Sequence, residues 1–308
     1  MTTALITHAD CLTHVTPEGH PERVARLEHV LHALEPLDLM RVSAPMAAED
    51  DILRIHPASY VADLRKARPN EGFAPIDGDT FMSPGSLDAA FRGAGAVIRG
   101  VDMVLTGEVR NAFAAIRPPG HHAETETAMG FCLFGNAALA AKHALDHHGL
   151  KRVAVVDFDV HHGNGTQDLL WDEPRALVVT SQQMPLWPGT GRVDEDGAHG
   201  NILNIPLPPE SGSIEMRAAY QEQVFPRLRK FKPELIILSA GFDAHRDDPL
   251  ANLNWSTEDF AWITAEICAI AQDLCDGRIV STLEGGYDLN ALSIACKAHV
   301  EELIKASA

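Results

Sequence analysis

"VVDFDVHHGNG", residues Val155 to Gly165, is an apolar strand that runs into two carboxylates, two imidazoles and a Gly-Asn-Gly turn. Along an extended segment the side chains at i, i+2 and i+4 share a face. Asp157, Asp159 and His161 therefore point one way, while Val156, Phe158 and Val160 point into packing. Buried charges are costly unless paired or bound to metal. Mixed carboxylate and imidazole donors suit zinc or another first-row ion better than magnesium or calcium. One more carboxylate beside His161 and the nearer aspartate completes a three-ligand site with an open position for water. Asp243, which closes "ELIILSAGFD", is the candidate. The alternative is a hydrogen-bonded structural network in which Asp157 and Asp159 cap the following segment. That alternative does not explain adjacent histidines at two separate strand ends. His162 points opposite to His161 and reads as a packing histidine.

Working outward, "TALITH", "NAFAAIRP", "RALVVTS", "NILNIPL", "ELIILSAG" and "RIVSTLEGG" repeat the short apolar run of "KRVAVVDFDV". They are continuously apolar, as strands covered on both faces are. Helical periodicity separates them in "PERVARLEHVLHAL", "SLDAAFRGAGAVIRGVDMVL", "GNAALAAKHAL" and "TEDFAWITAEICAIAQDL". The alternation predicts an α/β protein with a largely parallel sheet and helices on both faces. With no repeat, low-complexity tract or linker-like break in its 308 residues, the chain reads as one domain, 1–308.

Ligands of such sheets bind beyond the carboxyl ends of the strands. Four predicted strands end in polar clusters there: "RPPGHHA", "DFDVHHGNG", "SAGFDAH" and "LEGGYD". Parallel neighbours would bring all four to one rim. His121 and His122, on a Pro-Pro-Gly turn, can approach the rim together as general base and acid. Tyr287 follows two glycines and can donate to a developing oxyanion, or simply close a turn.

The formal charge of −18 disfavours nucleic acid and anionic membrane as partners and suits a cationic substrate, although acidity also serves solubility. Five scattered cysteines without a CxxC pair indicate a reduced, cytoplasmic setting and no cysteine-rich zinc site. "MTTALITHAD" lacks the features of a leader peptide.

The ordered set "GHPERVARL", "DGDTFMSPGSL", "RPPGHHA", "GFCLFGNAA", "DFDVHHGNG", "PLWPGTG", "SAGFDAHRDDPL" and "LEGGYDL" resembles the histone deacetylase family, including its bacterial amidohydrolase-like and acetylpolyamine branches. The resemblance implies the arginase/deacetylase α/β fold, with a central eight-stranded, mainly parallel sheet. It implies Zn²⁺ held by Asp159, His161 and Asp243, with His122 as base and then acid, His121 assisting electrostatically and Tyr287 polarising the carbonyl. Asp157 and Asn164 match the partners of the two histidines; Asn at the second position is the class II pattern. A structural K⁺ would lie against the backbone of Asp157, Asp159 and His161 with Ser181 and Gln182. Gly130, Phe131 and Trp187 match the wall of an acyl tunnel, Leu250 its mouth and Asp79 the carboxylate on its rim. The implied reaction is removal of an acetyl or short acyl group from an amine on an aliphatic chain, in a peptide or a small molecule.

A polyamine-selective relative would carry an acidic residue where Leu250 stands, yet Asp10, Glu18, Asp194, Glu195 and Asp247 leave an acidic mouth open. A catalytically silent acyl-binding protein of the same fold is a further reading, set against the presence of every catalytic position. A nucleotide-binding oxidoreductase fails, because Asp168 takes the last glycine position of GxGxxG after "GNG".

Overall fold

The computed structural model describes residues 2–308. Its strands are β1 (Thr3–Thr7), β2 (Met40–Ser43), β3 (Ala74–Pro75), β4 (Phe81–Met82), β5 (Asn111–Ala114), β6 (Val153–Asp157), β7 (Ala176–Gln183), β8 (Ile202–Leu207), β9 (Leu235–Ala240) and β10 (Ile279–Leu283). Eight of them form one sheet in the order β2-β1-β5-β10-β9-β6-β7-β8, and every neighbouring pair is parallel. The remaining two, β3 and β4, make a small antiparallel ribbon.

The helices Ser86–Leu105 and Asn136–Asp146 pack together on one face; Val24–Leu34, Thr257–Cys275 and Leu289–Ser307 cover the other. Burial from both sides explains the continuous apolar runs: every residue of β5, β6, β9 and β10 is buried. The outermost strand β2, "MRVS", is mostly exposed and has no apolar run to announce it.

Those four strands are contiguous in the sheet, and they are the ones that carry the predicted polar clusters. The rim expected from sequence is therefore assembled at their carboxyl ends. A second apolar cluster, including Tyr60, Leu64, Phe91, Leu133 and Phe134, lies under the loop that follows the His-His turn. Tyr60 anchors that loop by donating its hydroxyl to the Leu133 carbonyl at 2.6 Å. All five cysteines are buried and unpaired.

Candidate metal centre and active-site cavity

The segment after β6 curls so that its own carboxylates hold its backbone. Asp157 accepts the N–H of Asp159 at 3.0 Å, and Asp159 accepts that of His161 at 2.9 Å. From β9, Asp243 accepts the Val160 N–H at 2.9 Å, and from β10 the Gly285 N–H donates to Asp159 at 2.8 Å. Three elements thus fix one point in space. There His161 Nδ1 lies 3.2 Å from Asp159 Oδ1 and 3.1 Å from Asp243 Oδ2. One donor atom from each residue falls within 4.8 Å of the others, a grouping able to hold a metal ion. The turn from β10 approaches too closely for a side chain: a Cβ on Gly285 would stand 2.2 Å from Asp243 Oδ2.

The donor chemistry fits a first-row divalent ion: two buried carboxylates and one imidazole, with negative charge in excess. Burial and the neighbouring Asp159 push Asp243 up to about 7. Against the cost of burial, Asp159 and Asp243 raise His161 to about 10. Asp159 itself stays well below the usual carboxylate range, because His121 and His161 outweigh its burial. A bound cation would relieve the repulsion between the two carboxylates.

The His-His turn sits beside this trio. Glu284 positions it by accepting the N–H groups of Gly120 at 2.7 Å and His121 at 3.1 Å, while Ser239 donates to its other oxygen at 2.9 Å. His121 Nδ1 donates to Asp157 at 3.0 Å, and its Nε2 lies 3.7 Å from Asp159. Although burial disfavours charge, Asp159 and Asp157 hold its pKa well above the ordinary value. His122 behaves oppositely: burial first, then the neighbouring His121 and His161, hold it well below. Its tautomer follows from the partners. Asn164 donates its amide to the Glu124 carboxylate at 2.7 Å, so its Oδ1 is turned to accept from His122 Nδ1 at 2.7 Å. The other ring nitrogen, Nε2, is left as a lone-pair acceptor.

Tyr287 closes the opposite side. Its backbone N–H donates to Asp248 at 2.7 Å, and Asp248 also accepts the Leu250 N–H at 3.0 Å. Burial keeps the phenol protonated, with its pKa well above 10. The Arg26 guanidinium lies 4.9 Å from its ring centroid. Arg26 also donates to the carbonyls of Glu284 and Gly286, each at 2.5 Å, and to Glu22 at 3.0 Å. Glu22 in turn takes two donors from Arg117, at the start of the His-His turn. One buried carboxylate therefore ties the His-His turn to the tyrosine turn.

His122, His161 and Tyr287 open into a cavity of about 380 Å³. Asp79, Gly130, Phe131, Trp187 and Leu250, all expected from sequence, line it together with His20, Pro21, Gly78, Phe81 and Leu186. Trp187 packs edge-on to His122, ring centroids 4.7 Å apart, and Phe131 edge-on to Tyr287 at 5.8 Å. Gly130 adopts a left-handed conformation, and a Cβ there would come within 2.4 Å of His122 and 2.7 Å of Trp187.

None of Asp10, Glu18, Asp194, Glu195 and Asp247 lines the cavity itself. Asp79 is the one carboxylate among the lining residues. Asp10 is paired with Arg92, Asp194 with Arg192, and Glu195 with Gln167 and the Gly191 N–H. His162 is the packing residue expected, with its two ring nitrogens on Thr190 and Gln167. Ser181 and Gln182 lie on β7, outside the cavity lining. The Ser181 hydroxyl meets that of Tyr220 at 2.8 Å, and the Gln182 amide donates to the Gly191 carbonyl at 2.7 Å.

Glu22, Arg26, Glu124, Asp248 and Glu284 were not singled out from sequence, and neither were His20, Phe81 and Leu186. Glu22 and Arg26 had a local signal, opposite charges one helical turn apart. Asn164, the partner of Glu124, and Tyr287, whose turn Asp248 holds, are distant from them in sequence.

An all-parallel eight-stranded sheet, helices on both faces and a carboxylate–histidine–carboxylate group at the rim define the arginase/deacetylase α/β fold. A solved structure described as the HDA15 HD domain superposes with a TM-score of 0.91 at 32% identity, covering 97% of this chain and 90% of that one. The chain belongs to the histone deacetylase family: the family profile described as "Histone deacetylase domain" matches residues 20–303. "Histone deacetylase 10, chloroplastic" from Oryza sativa subsp. japonica is 42% identical over 90% of this chain and 68% of its own length. "Polyamine deacetylase HDAC10" from Homo sapiens is 35% identical over 99% of this chain and 48% of its own length.

Proposed function

We propose that the chain is a zinc-dependent amidohydrolase that removes an acetyl or short acyl group from a primary amine carried on an aliphatic chain. One observation carries this reading: His122, Tyr287 and the His161 of a metal-competent trio open on the same apolar cavity. Asp159, His161 and Asp243 would hold the zinc, which when bound supplies Lewis acidity and a water of lowered pKa.

The proton traffic belongs to the protein. His122, its Nδ1–H committed to Asn164, accepts a proton at Nε2 and returns it to the departing amine. His121, ion-paired with Asp157, keeps a positive charge beside it, which favours neutral His122 before reaction and negative charge on the substrate during it. Tyr287 donates to the carbonyl oxygen as that atom gains charge. Phe131 and Trp187 would flank the aliphatic stem, each buried methylene contributing about 0.8 kcal/mol. Gly130 admits the stem, Asp79 accepts hydrogen bonds at the rim, and Leu250 stands at the mouth. The same reading takes residues 1–308 as one catalytic domain in the cytoplasm. It also includes a structural K⁺ at the backbone of Asp157, Asp159 and His161 with Ser181 and Gln182; the Gln183 N–H, donating to the Val160 carbonyl at 2.8 Å, lays β7 against that loop.

An acetyl-lysine type of substrate is favoured by the apolar Leu250 and by a lining that holds a single carboxylate. The polyamine deacetylase among the relatives supports the small-amine alternative. Steady-state hydrolysis of an acetyl-lysine peptide and of N-acetylputrescine, side by side with a Tyr287→Phe control, decides the matter. Cleavage by the unmodified protein alone, with kcat/KM higher for the peptide, is the expected result. A higher value for N-acetylputrescine would reassign the substrate. No cleavage of either, with zinc bound that is lost on replacing Asp159 and Asp243, would favour the silent acyl-binding reading.

A further inference from the structure

A second group of imidazoles lies at the far end of a helix that helps to support the His-His turn. Asn136 begins the helix Asn136–Asp146 directly behind Gly120, where a Cβ on the glycine would meet the Asn136 nitrogen at 2.6 Å. Eleven residues further, about 16 Å along the axis, the chain reads "KHALDHH", Lys142 to His148. His143 and His147 are one helical turn apart and their rings stack, with centroids 4.7 Å apart and planes 11° from parallel. His148, just past the helix end, turns back edge-on to both, at 5.3 Å and 5.0 Å. From the neighbouring helix Ser86–Leu105, Asp102 sends one carboxylate oxygen into the group, 2.7 Å from His143 Nε2 and 2.8 Å from His148 Nε2.

We propose that Asp102, His143, His147 and His148 form a second divalent-metal site, for zinc or a similar late first-row ion, that ties these two helices together. One donor atom from each of the four lies within 4.8 Å of the others. Three imidazoles and one carboxylate form a complete four-donor set for tetrahedral zinc and an unusual one for a hard cation. Hydrogen bonding alone does not use this set fully. A single Asp102 oxygen is shared by two rings, and the Nδ1 of the buried His143 has no hydrogen-bond partner. The location also favours a cation, since a helix C-terminus carries partial negative charge. His147 is exposed and Asp102 and His148 are partly so, which gives an ion a path in. Four protein donors leave no open position for substrate, so the role is structural.

The test separates this site from the first. In an Asp159→Asn/Asp243→Asn variant, titration with Zn²⁺ should still show one bound equivalent and a rise in Tm. Co²⁺ should give the visible absorption of a tetrahedral N/O site. Adding His147→Ala and His148→Ala should abolish the equivalent, the absorption and the Tm rise. In the otherwise unmodified chain the same two substitutions should reduce the metal content by one per chain and leave turnover unchanged. The proposal is overturned if no equivalent binds to the first variant, or if it persists after His147 and His148 are replaced. A tenfold loss of turnover from the histidine substitutions would overturn the structural role. Should the first variant not fold, the metal count of the unmodified chain with and without His147 and His148 decides alone.

Discussion

Two clusters of buried charge lie side by side in this protein and differ in their balance. In the first, Glu22 is matched by the guanidiniums of Arg117 and Arg26, and the remaining Arg26 donors are taken by the carbonyls of Glu284 and Gly286. In the second, Asp157, Asp159, Asp243 and Glu284 crowd around His121 and His161, with anions in excess. Their titration separates them. Burial alone would raise the pKa of Glu22, yet Arg117 and His14 hold it well below the usual range. Burial raises Asp243 and Glu284 to about 7 each. A buried carboxylate fully matched by cations, one Glu22 against two guanidiniums, is finished as it stands and works as a brace. A cluster whose carboxylates outnumber its cations is built for something that brings positive charge.

The largest contrast should come from deleting a member of each. Asp159→Ala, His161→Ala or Asp243→Ala should lose one equivalent of metal and turnover together, read by metal content per chain and by kcat. With metal removed by chelation, Asp243→Asn should leave stability unchanged or raise it, because it relieves repulsion. Glu22→Gln should cost about 3–5 kcal/mol in denaturant unfolding, the penalty for breaking a buried ion pair from one side. Equal and opposite results, with Asp243→Asn costing more than Glu22→Gln in the metal-free protein, would dissolve the distinction.

Glu22 in the first cluster and Asp243 and Glu284 in the second should also respond to pH with opposite signs. A depressed carboxylate contributes stability that is present above its unfolded pKa, near 4.5 for Glu22, and is lost as pH falls below it. A raised carboxylate does the reverse: metal-free protein should gain stability at Asp243 and Glu284 as pH falls from about 7 toward 4.5. Unfolding free energy of the chelated protein measured across pH 3–8 should therefore rise and then fall on acidification. Glu22→Gln should flatten only the acid side. Saturating zinc should remove only the gain above pH 4.5.

This contrast also marks what the sequence disclosed. β6, β9 and β10 were legible because strands buried on both faces must be apolar throughout, and parallel strands send their ends to one rim. Asp159, His161 and Asp243 were reached through strand periodicity and ligand chemistry, although β6 ends at Asp157 and Asp159 and His161 lie in the bend after it. The brace was not legible: Glu22 and Arg117 are separated by 95 positions, and nothing near either names the other. β2 escaped because an exposed edge strand carries no apolar signature. The helix Leu289–Ser307 could have been read, since Asp288 caps it through the N–H groups of Asn290 and Ala291. Its buried face, Leu292, Ala295, Cys296, His299, Val300 and Leu303, keeps helical spacing, but small and polar residues dilute it.

Within the site, Tyr287→Phe should retain metal and lose about 10²–10³ in kcat, as removal of one oxyanion donor does. Because Asp248 and Arg26 hold the turn through its backbone and ring, the fold should be undisturbed. Full turnover by the variant would remove Tyr287 from the chemistry.

The finest division is between the two adjacent histidines, whose ring centroids are only 3.9 Å apart. His121 faces a carboxylate and is held charged; His122 faces the neutral amide of Asn164 and is held neutral. Asn164→Asp would give His122 the kind of partner that His121 has. An opposite charge at hydrogen-bond distance raises a histidine by about 1–3 pK units, each worth about 1.4 kcal/mol. The acid limb of kcat/KM should move up in pH accordingly. Glu124, 2.7 Å from the Asn164 amide nitrogen, would then confront a second carboxylate and oppose the change. Glu124→Gln added to Asn164→Asp should restore the full shift. An acid limb that stays in place in both variants would mean that His122 is not the group titrating, and that the asymmetry of the pair lies in burial rather than in the choice of Asn over Asp.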